Sequence, residues 1–259
     1  MENKVKYDVT DLTSLEKLEP VRVRPGMYIG STGTKGLHHC IWEILDNSID
    51  EISNGYGNKA SVILNRDKSV TIIDNGRGVP TGVHPIKKKT GVEMVYTELH
   101  TGGKFDNKNY KTSGGLHGVG AAVVNALSEW LEVEVHQNGN IYRQRFEYAF
   151  DKEIGKDMPG TAVTPLEIVG KSKDTGTRVT FKPSKEVFST TEFKFDIIDE
   201  RLKELSFQNK GIYLELIDRR KDEEVKKEYY SENGLLDFIK YLNESKTPIH
   251  QNPIIFEGE

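Results

Sequence analysis

His39, Glu43, Asn47 and Asp50 stand at steps of four, four and three in the stretch LHHCIWEILDNSIDEIS, Leu37 to Ser53. On a helix this spacing places an imidazole, two carboxylates and an amide along one face. The carboxylates and the amide so placed can wait for something cationic, such as a metal ion. Asp46 and Glu51 are close by, Asp46 reading only as polar surface, and the stretch contains no Lys or Arg. A solvated helix face is the plain alternative, but such faces usually interleave both signs. The arrangement therefore points to a cation supplied from outside the helix.

Three further groups carry potential chemistry. Gly114, Gly115, Gly118 and Gly120 precede a helical run. Glycines at a helix entrance let backbone N–H groups close around an anion, with the helix dipole adding to the attraction. No Lys-Ser or Lys-Thr follows the last glycine, so this is not a Walker loop, and it does not follow a strand as a dinucleotide fingerprint does. Asp74 closes a β-rich run and is followed by Gly76, Arg77 and Gly78. It is either a turn former or a carboxylate that accepts a ligand amine, with glycines that let a flat ring approach the backbone. Lys104, Tyr110 and Lys111 lie in the polar segment before the cradle, where lysines are either solvated or neutralise a terminal phosphate.

The elements that must position these groups follow from periodicity. Ile41, Ile44, Leu45, Ile49 and Ile52 make the buried stripe of the acidic helix. Ala60 to Asn65 and Ser69 to Asp74 form a hairpin, the second strand central, and Asn138-Gly139 joins LEVEVHQ to IYRQRFE with type I′ turn chemistry. Helices are expected at Leu12 to Leu18, Val92 to Leu99, AAVVNALSEW, Ile197 to Asn209 and Gly234 to Asn243. Val21 to Gly36 reads as a structured loop, and Tyr148 to Lys173, with Pro159 and Pro165, resists assignment. TRVTFKP is a strand, and GIYLELIDRR pairs with VKKEYY. Strands and helices in this order make an α+β fold, a two-layer sandwich of a mixed, largely antiparallel sheet with helices on one face.

The 259 residues are enough for one large domain or one domain plus part of another. A net charge of -4 with 36% hydrophobic residues describes a soluble globular protein and argues against DNA binding through bulk charge. One cysteine, Cys40, excludes an internal disulfide framework and fits a reducing cytoplasm. There is no apolar run of membrane-spanning length and no secretory leader, so a cytoplasmic location with no membrane partner is expected.

In order, E-x-x-x-N-x-x-D (Glu43, Asn47, Asp50), D-x-G-x-G (Asp74, Gly76, Gly78), G-x-x-G-x-G (Gly115, Gly118, Gly120) and G-T (Gly176, Thr177) resemble the ATP-binding signature of the GHKL superfamily: gyrase-type topoisomerases, a heat-shock chaperone, histidine kinases and MutL. RPGMYIG, GLHH, DNSIDE, DNGRGVPTG, GGKF, YKTSGGLHGVGAAVVNALS and YLNESKTPIH look more closely like the B subunits of bacterial type IIA topoisomerases, DNA gyrase and topoisomerase IV, over essentially the whole chain. The resemblance implies Glu43 as the general base for water attacking the γ-phosphate, held by His39, with Asn47 as ligand of Mg²⁺. It implies Asp74 as acceptor of the adenine amine, Thr177 supporting that contact partly through water, and Gly78 against the base. Arg77 and Glu51 would pair over the pocket mouth, with Pro80 beside them. Gly115, Leu116, His117, Gly118, Val119 and Gly120, with Lys104 and Lys111, would hold the phosphates, and Tyr110 would touch the nucleotide. Tyr7 and Leu12 match arm positions that reach the partner's site in an ATP-bound homodimer. The implied organisation is an arm over 1–20, the ATPase domain over 21–230 and the start of a truncated transducer domain over 231–259. Implied partners are the topoisomerase A subunit and DNA, in an ATP-dependent topoisomerase of which this is the ATPase portion.

Two positions depart from the family pattern: Gln137 stands in place of an arginine that matters to coumarin-type inhibitors, and Val23 in place of a lysine. The transducer lysine that reaches the γ-phosphate lies outside the chain, so weak hydrolysis is expected. Three rival readings remain. A non-hydrolysing ATP switch would keep binding and dimerisation without turnover. A histidine kinase would need a phospho-accepting domain upstream of the first motif. A DNA-binding module could use Lys87, Lys88 and Lys89.

Overall fold

In the computed structural model, which describes residues 8–9, 12, 14–101 and 118–247, the β-rich run that ends in Asp74 lies in the middle of a sheet. The strands are β1 (Lys59–Leu64), β2 (Val70–Asp74), β3 (Ser128–Gln137), β4 (Asn140–Asp151), β5 (Lys156–Ala162), β6 (Glu167–Lys171), β7 (Gly176–Pro183), β8 (Tyr213–Asp218) and β9 (Val225–Tyr229). Among the described residues these nine make one sheet in the order β5-β4-β3-β7-β2-β1-β8-β9, with β6 attached to β4. The β1–β8 pairing is parallel; the others are antiparallel.

One face of the sheet is apolar. Leu131, Val133 and Val135 of β3, Phe146 of β4, Val179 and Phe181 of β7, Ile72 of β2 and Leu214 and Leu216 of β8 are buried. The alternate residues carry charge on the other face, where Arg145 pairs with Glu132 at 3.7 Å and Arg178 with Glu134 at 3.5 Å. This period-two division is what a sheet covered on one side requires. The cover is helical: α3 (Thr34–Ser53) packs on β1, β2 and β7, α5 (Gly120–Ala126) on β3, β4 and β5, and α6 (Phe195–Gln208) on β8 and β9. The expected α+β sandwich is therefore the observed one. Leu37, Ile41, Ile44, Leu45, Ile49 and Ile52 form the buried stripe of α3, each such side chain contributing about 1.5–3 kcal/mol on burial.

Local differences from the sequence expectations have identifiable causes. No helix forms over the described residues between 12 and 18; Lys17 adopts φ 46°, and the first helix, α1 (Glu19–Val23), begins just after it with Pro20 in its first turn. A second short helix, α2 (Gly26–Ile29), occupies the segment expected as loop. α5 stops at Ala126 instead of running on to Trp130, because Ser128 and Trp130 pair with Pro183 and Lys182 of β7. The segment Tyr148 to Lys173 is strand: the end of β4, then β5 with Pro159 at the sheet edge, then β6. The hairpin at Asn138-Gly139 has both residues at positive φ, 53° and 77°, as a type I′ turn demands.

α4 (Gly91–Thr97) is capped by Thr90, whose hydroxyl accepts from the Glu93 amide, and α7 (Leu235–Leu242) stacks Phe238 on Phe207 of α6 at 5.3 Å between ring centroids. Among the described residues no helix is long and apolar enough to cross a membrane.

Candidate nucleotide site

A cleft of about 610 Å³ opens between α3, the end of β2, α4 and the first turn of α5. That volume is in the range of small-molecule sites. His39, Glu43, Asp46, Asn47, Ser48 and Glu51 of α3 line it, so the acidic face is turned into the cleft and not to open solvent. His39 Nε2 lies 2.9 Å from Glu43 Oε1, and Asn47 Nδ2 donates to the Glu43 carbonyl at 2.9 Å. The Glu43 carboxylate holds the His39 imidazole above its ordinary pKa, with Asp46 adding to the effect. The neighbouring His38 has a different task. It is buried, with Nδ1 donating to the Thr34 carbonyl at 2.8 Å and Nε2 accepting from the Lys194 amide at 2.9 Å. Asp50, one turn beyond Asn47, is likewise buried and does not line the cleft.

At the opposite end stands Asp74. Its Oδ1 accepts from the amides of Gly76 at 2.9 Å and Thr177 at 3.2 Å, and Oδ2 accepts from the Ser48 hydroxyl at 3.0 Å. Burial pushes its pKa up, against the pull of these donors. A carboxylate has about four acceptor positions, so Oδ2 retains capacity for one further donor on the cleft side. Thr177 also accepts from the Val79 amide at 3.3 Å, tying the glycine-containing loop after β2 to β7. Gly78 sits in that loop at φ 81°, where an added Cβ would fall 2.8 Å from Val135 Cγ1. The loop therefore lies flat against the sheet, and Val79 and Pro80 form a wall of the cleft.

The mouth is held by an ion pair. Arg77 donates to Glu51 through Nε at 3.0 Å and Nη2 at 2.8 Å, and its guanidinium lies 3.5 Å above the centre of the Tyr56 ring. Gln137 braces the same loop. Its amide nitrogen donates to the Arg77 carbonyl at 3.2 Å, and its amide oxygen accepts from the Thr81 hydroxyl at 3.0 Å.

Gly118, Val119 and Gly120 line the cleft at the entrance of α5, and no side chain caps this helix. Its first-turn N–H groups are therefore donors for an anion. A Cβ at Gly120 would lie 1.9 Å from Glu43 Oε2, so only glycine leaves room for the carboxylate.

The structure thus brings together His39, Glu43, Asn47, Asp74, Gly78, Gly118, Val119, Gly120 and Thr177. Tyr7, Lys104, Tyr110, Lys111, Gly115, Leu116 and His117 lie outside the described residues. Reading the sequence missed Asp46 and Tyr96 as cleft residues. Asp46 follows Glu43 by three positions, which was a usable signal. Tyr96 is 3% exposed within an apolar helix face and gave none.

Fold and cleft together define the class, an α+β domain of the GHKL type. Residues 32–187 match the family described as "Histidine kinase-, DNA gyrase B-, and HSP90-like ATPase", and the chain belongs to that family. It is 51% identical over 251 residues to the B subunit of DNA topoisomerase 4 from Staphylococcus epidermidis, covering 96% of this chain and 36% of that protein. The Staphylococcus aureus protein of the same name is 50% identical over 260 residues, covering 100% of this chain and 37% of its own. The crystal structure of the 43K ATPase domain of Thermus thermophilus gyrase B in complex with an aminocoumarin superposes with a TM-score of 0.78 at 38% identity, over 93% of this chain and 59% of that one. The chain therefore spans 36–37% of the length of the curated relatives.

Proposed function

We propose that this chain is the ATP-binding and ATP-hydrolysing portion of a bacterial type IIA topoisomerase B subunit. The observation that carries the reading is that one cleft holds Asp74, with an acceptor position left for an amine, and the Glu43–His39 pair on one helix. The base of ATP would lie at the Asp74 end, with Gly78 and Thr177 beside it. The phosphates would lie toward Gly118, Val119 and Gly120.

In hydrolysis Glu43 orients the attacking water and takes its proton, and His39 fixes the carboxylate that does so. Among the described residues no cluster of three or more His, Cys, Asp or Glu side chains is arranged around a common metal position. Asn47 fits the remaining possibility, a magnesium ion bound mainly through substrate phosphates and water. When bound, such an ion neutralises phosphate charge. The residues present fit this role, because the entrance of α5 and Asn47 line the same cleft.

The relatives' names support DNA as a partner and topoisomerase IV over gyrase, and we read an A subunit as the further partner and the cytoplasm as the setting. We place the domain limits at 21–230, with 1–20 as an arm used in ATP-driven dimerisation and 231–259 as the start of a transducer. A reconstituted holoenzyme should then decatenate DNA in preference to supercoiling it.

The test of the ATPase reading is Glu43→Ala. Turnover should fall by roughly 10²–10⁴-fold, the usual worth of a general base, while nucleotide affinity is retained. Loss of binding together with turnover would overturn the assignment. Retained turnover would favour a different base. A protein that binds ATP and never hydrolyses it, even in the holoenzyme, would be a switch.

A further inference from the structure

The two bonds from Arg77 to Glu51, through Nε at 3.0 Å and Nη2 at 2.8 Å, lie in the plane of the guanidinium and do not resist tilting about the line of the pair. A contact perpendicular to that plane does resist it. The Tyr56 ring supplies one, with the guanidinium carbon 3.5 Å from its centre.

The chain is shaped to put the ring there. Tyr56 stands between Gly55 and Gly57, both in the left-handed region at φ 88° and 89°, and they turn the backbone sharply after α3. A Cβ at Gly57 would fall 2.6 Å from the Asn75 carbonyl oxygen, so this turn is packed on the start of the rim loop. Asn75 Oδ1 accepts from the amides of Asn58 and Lys59 at 2.9 Å each, which ties turn and loop together. The ring is 39% exposed, so burial in the core is not what places it. Arg77 in turn is tied to the wall of the cleft. Its amide donates to Glu51 Oε2 at 3.3 Å, and Gly78, Val79 and Pro80, which follow it, line the cleft together with Glu51. Gln137 braces this wall from β3, and the Tyr56 stack braces it from the end of α3.

We propose that Tyr56, which does not itself line the cleft, is a positioning residue for nucleotide binding. By stacking on Arg77 it holds the Arg77–Glu51 pair, and through that pair the Gly78–Pro80 wall, against the base end of the cleft, and so slows the release of bound nucleotide. This rests on the reading that the Asp74 end of the cleft takes the base. The contact uses the face of the ring and not its hydroxyl, so phenylalanine should serve in its place and leucine should not.

The experiment measures association and dissociation of ADP, with magnesium, on the immobilised chain by surface plasmon resonance. Tyr56→Leu should raise the dissociation rate about 2- to 5-fold, the usual worth of a partly exposed cation–π contact, with the association rate little changed. Tyr56→Phe should release ADP at the wild-type rate. Tyr56→Gln should behave like Tyr56→Leu and covers the case of a leucine variant that does not fold, which thermal melts establish. In an Arg77→Met background Tyr56→Leu should add no further acceleration, because both changes remove the same contact. Release from Tyr56→Phe as fast as from Tyr56→Leu, wild-type release from the leucine and glutamine variants, or full acceleration in the Arg77→Met background would overturn the role of Tyr56 while leaving the base site in place. Asp74→Asn in the same series tests that site: unchanged ADP affinity would remove the base-site reading, and this proposal with it.

Discussion

Gly120, at the entrance of α5, lies so close to Glu43 that a methyl group there would occupy the position of the Glu43 carboxylate oxygen, 1.9 Å away. Gly120 thus also sets the position of the Glu43 carboxylate. Gly120→Ala should leave the fold intact, because the clashing atom is the far end of a flexible side chain, and should displace the carboxylate from His39. Turnover is expected to fall about 10- to 100-fold, the cost of misplacing a reacting group by about an ångström, with a smaller change in nucleotide affinity. Steady-state kinetics beside a binding titration separates the two. Unchanged turnover would show that Glu43 does not need this position.

Asp74 predicts opposite signs for stability and binding. Its folded pKa lies above the ordinary carboxylate value because it is buried. The folded protein therefore binds the proton more tightly than the unfolded chain, and the contribution of Asp74 to stability declines as pH rises through the ordinary value toward the raised one. Asp74→Asn removes that cost and should melt at or above the wild-type temperature at pH 7. ATP affinity should fall by about 10-fold or more, since the lost bond has a charged acceptor. A variant that loses stability along with binding would identify Asp74 as a structural turn residue.

Glu215 gives the contrary case. On β8 its buried carboxylate would be pushed up by burial, but hydrogen bonds from Lys226, Lys59 and Ser61 outweigh this and bring its pKa down to about 2. A depressed folded value means stability present above the unfolded value of 4.5 and lost as pH falls from there to about 2. Glu215→Gln should be less stable than wild type at pH 7 by about 1–3 kcal/mol and show a flatter acid limb in urea titrations between those pH values. Parallel acid limbs would place the acid sensitivity elsewhere.

Gln137 holds the rim loop at two points, the Arg77 carbonyl and the Thr81 hydroxyl. Gln137→Ala should speed nucleotide release and weaken affinity about 2- to 5-fold, and Thr81→Val added to it should cost little more, because both remove one brace. Additive losses would mean that the two contacts act separately.

How far these features were legible in the sequence depends on the range of the forces behind them. The acidic face of α3, the Asn138-Gly139 turn and the hairpin ending in Asp74 are local patterns, and each forms as read except that Asp50 is buried away from the cleft. Two of the misjudged elements were decided by distant partners. The run after Ala126 has helical composition but is claimed as strand by β7, about 50 residues later. β5 and β6 exist because β4 offers an edge, which prolines in the sequence conceal. Asp46 looked like surface although its spacing from Glu43 set it on the face that lines the cleft.

The parallel pairing of β1 with β8 joins Leu64 to Asp218, and the Asp74 contact with Thr177 spans 103 residues. Such contacts are slow to form, since loop closure must precede any gain from them. On a ribosome adding about 5–20 residues per second, the helix that bears Glu43 emerges well before the strand that bears Thr177. The acidic face of α3 is therefore made early and waits, and the cleft is complete only once β7 has inserted between β2 and β3. On the proposed reading of the cleft, translation order delays capture of ATP until that strand is in place.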